Sequence, residues 1–127
     1  RKLDVDVMRA AADELIGEHD FAAMRSVGSN VKTTVRRVYY CDVCQKGDLV
    51  LIRIAANGFL YNMARAIAGT LIYVSEGKIS PEEIPHILRN KERRYAGPTL
   101  PACGLYMTGI WYDCLPGFAE GARKAYL

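Results

Sequence analysis

One arginine stands in the most apolar stretch of this chain. Ile54 to Ser75 reads IAANGFLYNMARAIAGTLIYVS, and Arg65, near its middle, is the only charged residue in it. A guanidinium keeps its charge in any protein setting and desolvates badly unless paired. It can reach from a helix flank to water along its own apolar stem. It can instead sit in a cleft as the partner of a carboxylate, orienting that group and keeping it ionised. The periodicity accommodates both readings.

The other chemistry-bearing residues are less suggestive. His19, beside Asp20, is of the right type for a general base, but a loop histidine bonded to local backbone explains it more simply. Cys41-x-x-Cys44 has metal-ligand spacing, yet a zinc site wants a second close pair, and Cys103 and Cys114 lie eleven apart. In a strand, residues three apart also point to opposite faces. The cysteines are therefore read as free thiols, with no metal. Lys91-Glu92-Arg93-Arg94 suits a helix C-terminus and a solvated face more readily than an RNA phosphate contact.

The elements that must position Arg65 follow from pattern. A membrane span is excluded because a central arginine costs roughly 2.5–3.5 kcal/mol even on a lenient insertion scale. The stretch reads as a buried core helix, with Leu60, Met63, Ala64, Ile67, Leu71 and Val74 along one face. Asn57-Gly58 supplies its turn and cap, and Gly77 its stop. Ahead of it, Val7 to Gly17 is expected to be an amphipathic helix capped by Asp6, followed by a turn ending in a Val27–Asn30 loop. Thr33–Cys44 and Leu49–Ala56 read as strands joined by a hairpin turn at Gln45–Asp48, with Gly47 free to take a positive φ. Ser80-Pro81-Glu82-Glu83 opens a second helix with a capping box, although Pro85 should distort its first turns. Ala96–Pro101 is irregular. Gly104–Asp113 alternates like a strand covered on both faces, and residues 115–127 form a tail.

Helices over an antiparallel sheet make an α+β two-layer sandwich with the helices on one face. The element order is that of a ferredoxin-like plait whose first strand is missing and would lie before Arg1. Such a chain either exposes a pairing edge or fills the vacancy with a copy of itself.

At 127 residues the chain fits a single domain, 1–127. Half of it is hydrophobic, and the net charge of +3 permits a polyanionic partner without requiring one. There is no signal-peptide pattern and no spanning segment, which leaves the cytoplasm as the expected compartment.

Four segments together resemble the C-terminal half of the tRNA pseudouridine synthase A family. They are Gly17-x-His19-Asp20-Phe21, Lys32-Thr33-Thr34-Val35-Arg36, Asn57-Gly58-Phe59-Leu60-Tyr61-x-Met63-x-Arg65, and Ala96-Gly97-Pro98-Thr99-x-Pro101-x-x-Gly104-Leu105-Tyr106. The resemblance implies an isomerase that works without cofactor. Such an enzyme cleaves the N-glycosidic bond of a uridine in the tRNA anticodon stem-loop, turns the base over and rejoins it through carbon five. It implies that Arg65 pairs with the catalytic aspartate and that Leu105 packs beside the target base. It also implies that Lys32 and Arg36 face the RNA and that the protein is a homodimer. The family's aspartate lies in an Arg-x-Asp-x-Gly-type motif of the N-terminal half, and no such motif occurs here. Asp6, Asp13 and Asp20 have the wrong surroundings, so the chain by itself is expected to be inactive. Met24, Leu100 and Met107 depart from the family pattern, each by an apolar replacement that alters packing more than chemistry. A non-catalytic RNA-binding module and a structural dimerisation domain are the rival classes.

Overall fold

The computed structural model describes residues 3–26 and 31–101. The expected loop at Val27–Asn30, the expected strand Gly104–Asp113 and the tail from residue 115 lie outside them.

Helix α1, Val5–Asp13, starts two residues earlier than its apolar stripe suggests. Its cap is Asp4, whose Oδ1 accepts from the Val7 N–H at 3.3 Å. Asp6, the expected cap, sits inside the first turn and pairs with Arg9 at 3.3 Å. Met8, Ala11 and Ala12 are buried, as is Leu15 just past the helix end. Gly17 does not close the helix. With φ at 108° it opens a short strand, β1, Gly17–Asp20, where a loop was expected. The sequence GEHD has little strand propensity of its own. It is extended because it pairs antiparallel with the next strand, from Gly17 opposite Val38 to Asp20 opposite Val35.

β2, Val35–Lys46, and β3, Leu49–Ala56, form the expected hairpin, turning at Gly47-Asp48 with Gly47 at φ 62°. The sheet order is β1-β2-β3, all antiparallel, with an irregularity between Val38 and Tyr40. Val38, Cys41 and Val43 are buried under the helices, and α1 packs on both β2 and the central helix. Across the β2–β3 ladder Asp42 stands opposite Arg53, and their side chains meet at 2.6 Å. This is the α+β sandwich read from the element pattern.

The central helix, α2, runs only from Met63 to Ser75. Ile54–Ala56 belong to β3 instead. Their backbone groups are used in the ladder with β2, and Asn57 extends it by exchanging two 2.9 Å bonds with the Arg37 backbone. A segment cannot satisfy a sheet ladder and a helix at once. Asn57-Gly58 is therefore a connection rather than a cap, and the helix begins after Asn62. The apolar stripe is buried as expected at Leu60, Met63, Ile67, Leu71 and Val74, whereas Ala64 is only half-buried. Gly77, φ 79°, ends the helix.

The second amphipathic segment starts with a 3₁₀ turn, Pro81–Glu83, and continues as α3, Ile84–Asn90. Glu83 Oε1 accepts from the Ser80 N–H at 3.2 Å and from its hydroxyl at 3.1 Å. Pro85 lies second in α3, where a missing N–H is tolerated, and the distortion appears as the tighter turn ahead of it. Ile84, Ile87 and Leu88 complete the core from this side. Among the described residues no helix is long and apolar enough to cross a membrane.

Candidate functional site

The site is built at the N-terminal end of α2. Asn62 precedes the helix in the left-handed region, φ 60°. Asparagine adopts this conformation more readily than most residues. Its side chain caps no helix N–H. Oδ1 instead accepts from Arg65 Nη1 at 2.9 Å, while Nδ2 donates to Ser26 Oγ at 3.0 Å. The Ser26 N–H in turn donates to the Tyr61 carbonyl at 2.9 Å, so the 3₁₀ turn at Ala22–Met24 and its exit are tied to the start of α2.

Arg65 is the third residue of α2 and is half-buried. Its Nε donates to the Leu100 carbonyl at 2.5 Å, and its own carbonyl accepts from the Leu100 N–H at 3.3 Å. Of the five N–H donors on a guanidinium, Nε and one on Nη1 are thus committed to neutral acceptors. Nη2 has no partner, and no carboxylate pairs with the group, among the described residues. What remains is an oriented, forked outer edge suited to a planar anion.

Leu100 belongs to the irregular segment 96–101, which lies along α2 like a strap. Thr70, fully buried in the helix, holds it by accepting from the Gly97 N–H at 2.9 Å while donating to the Ala66 carbonyl at 2.7 Å. Gly69 and Gly97 let the two backbones touch.

The remaining sequence candidates separate. Arg36 packs its Nε near Gly58, on the connection leading to α2, and its Nη1 donates to the carbonyls of Thr33 and Val35 at 2.8 and 2.7 Å. Lys32 is exposed ahead of β2 and has no ion-pair partner among the described residues. Leu105 lies outside the described residues. His19 sits on strand β1 rather than in a loop. Its Nε2 is 3.0 Å from the Ile16 carbonyl, and its ring meets Phe21 edge-on at 5.7 Å, so it is locally satisfied. Asp20 is also structural. Burial raises its carboxyl, but hydrogen bonds from Thr34 Oγ1 and the Ala22 N–H, with the Lys91 charge, outweigh that and hold it below its ordinary value. Cys41 is buried and Cys44 half-buried on β2, and both are free. Burial first, then the charges of Asp42 and Asp13, push the Cys41 thiol up to about 12. Among the described residues no group of three His, Cys, Asp or Glu side chains could hold a metal ion.

Pattern reading missed Asn62, Ser26, Thr70 and the Leu100 carbonyl. Asn62 left one signal, a polar residue three positions before Arg65 in an apolar stretch.

A sequence model of the tRNA pseudouridine synthase family matches residues 11–113. The chain belongs to the tRNA pseudouridine synthase family. It is 49% identical over 111 residues to the tRNA pseudouridine synthase A of Caldicellulosiruptor bescii, covering 87% of this chain and 46% of that protein. It is 48% identical over 112 residues to that of Ruminiclostridium cellulolyticum, covering 87% and 46%. With that of Janthinobacterium sp. strain Marseille it shares 44% over 113 residues, covering 89% and 42%. The chain therefore spans about half the length of the curated relatives it matches. Arg65, the strap and β1–β3 all fall inside the stretch matched to the synthase family.

Proposed function

We propose that this chain is the C-terminal half of a tRNA pseudouridine synthase and supplies Arg65 as the partner of a catalytic aspartate carried by the other half. The observation that carries this reading is the state of Arg65. It is half-buried, fixed in orientation by Leu100 and Asn62, and without a carboxylate among the described residues. A half-buried cation whose Nη2 has no partner among the described residues is left with part of its desolvation uncompensated. The arrangement makes physical sense if an incoming carboxylate completes it, docked end-on against the free edge and kept ionised by the charge.

In this reading the N1–C1′ bond of a uridine breaks, a C5–C1′ bond forms, the hydrogen on C5 is lost as a proton, and N1 takes up a proton, so that substrate and product are isomers. The substrate is tRNA, at the anticodon stem-loop. No cofactor or metal enters the reaction, and the assembled enzyme is a cytoplasmic homodimer. Lys32 contacts phosphate, and Arg36 joins it after releasing the carbonyls of Thr33 and Val35. Leu105 packs beside the target base. The chain contains no Arg-x-Asp motif, so alone it is silent.

Tritium release from tRNA labelled at uridine C5 tests the assignment. A full-length protein carrying this chain should release tritium, and the isolated chain should not. Clear turnover by the isolated chain, or a full-length protein that binds tRNA without releasing tritium, refutes it.

A further inference from the structure

Arg93 stands in a run of charges that reads as solvent-facing, yet its side chain turns inward. Nη1 donates to the Gly97 carbonyl at 2.5 Å and Nη2 to Thr99 Oγ1 at 2.9 Å. Its neighbours behave differently: Lys91 pairs with Asp20 at 3.5 Å and Arg94 with Glu92 at 2.7 Å. Arg93 has no carboxylate partner among the described residues, and burial pulls its pKa below the ordinary arginine value. A charged group that accepts desolvation for two neutral acceptors is placed for geometry, because a planar fork can fix both at once.

What it fixes is the strap. The segment from Ala96 to Pro101 is anchored to α2 at one end through Gly97 and Thr70. At the other end Leu100 meets Arg65 through two bonds. Between them, Arg93 spans Gly97 and Thr99, and Thr99 immediately precedes Leu100, whose carbonyl receives Arg65 Nε. We propose that Arg93 is a positioning residue for Arg65, holding Thr99–Leu100 so that the Leu100 carbonyl orients the guanidinium. The catalytic consequence rests on the synthase reading above; the structural one does not.

The test separates the two. In the chain itself, the Nε–H resonance of Arg65, assigned with Arg65→Lys, is followed by NMR in Arg93→Met, Arg93→Lys and Thr99→Val. Loss of one hydrogen bond's worth of restraint should speed exchange of that proton about tenfold. Arg93→Met should show this most strongly, and Arg93→Lys, which keeps the charge without the fork, should not restore it. Thr99→Val removes a single acceptor and serves if Arg93→Met fails to fold. In a full-length protein carrying the same changes, kcat should fall while KM for tRNA stays within about twofold. Exchange of the Arg65 proton unchanged in folded Arg93→Met or Thr99→Val overturns the proposal. So does full restoration by Arg93→Lys. If exchange quickens but Arg65→Ala leaves turnover intact, the positioning stands and the synthase role of Arg65 falls.

Discussion

The backbone of Gly97 lies against the backbone of Gly69, with no room between them for a side chain. A Cβ on Gly69 would land inside the Pro98 carbonyl, and one on Gly97 would collide with the Gly69 carbonyl and the Thr70 nitrogen. This contact lets the strap reach α2 closely enough for Leu100 to bond Arg65, so two residues with no side chain set where that cation sits.

Gly69→Ala should destabilise the fold by about 1–3 kcal/mol, since forced overpacking outweighs the roughly 1 kcal/mol that alanine gains over glycine inside a helix. The urea midpoint should fall accordingly. A midpoint equal to or above wild type would mean that the strap yields freely.

Thr70→Val keeps the shape of the side chain but leaves the buried Gly97 N–H without an acceptor. Stranding a buried donor costs about 1–3 kcal/mol, and chemical denaturation measures it. Amide exchange at Gly97 should quicken more than exchange at Leu71.

Arg65→Lys and Arg65→Ala should each lower turnover of the full-length protein by roughly 100-fold or more, the scale for losing an oriented charge partner in a partly dry site. Thermal stability should drop only modestly, because Leu100 and Asn62 lose one bond each. Near-normal rates from either variant would remove Arg65 from the chemistry.

Cys41 should resist alkylation. With its thiol pushed up to about 12, only about one molecule in ten thousand is a thiolate at pH 8. Peptide mapping after iodoacetamide should therefore find Cys44 modified before Cys41. The same shift has a stability consequence. The folded state retains a proton that the unfolded chain releases above its ordinary value of 9.0, so stability should decline as pH rises from there towards about 12.

Asp20 and Asp42 act at the opposite end of the scale. Burial raises Asp42, but Arg53 and the Tyr40 hydroxyl more than offset it, and both carboxyls lie below 3.8 when folded. Their contribution is present above pH 3.8 and is lost as pH falls through the folded values. Thr34→Val should shift the Asp20 part of that acid transition upward, which an acid titration followed by circular dichroism would detect.

Much of this molecule is legible in its residue order. Periodicity marks the buried face of α2, β-branched runs and Gly47 mark the hairpin, and the Ser80–Glu83 pair marks the start of the next helical segment. Each is a local signal, carried by residues a few positions apart, and the family motifs around Arg65 are similarly local. Strand β1 and the late start of α2 are not legible in this way. GEHD is extended only because β2 lies beside it, and Ile54–Ala56 are strand because their backbone groups are claimed across the ladder. The environment of Arg65 depends on the tertiary structure as well. The sequence places a cation in an apolar stretch and leaves open whether it reaches water or waits in a cleft. Packing sets its orientation, because Leu100 lies thirty-five residues away and reaches the guanidinium only where two glycine backbones can touch.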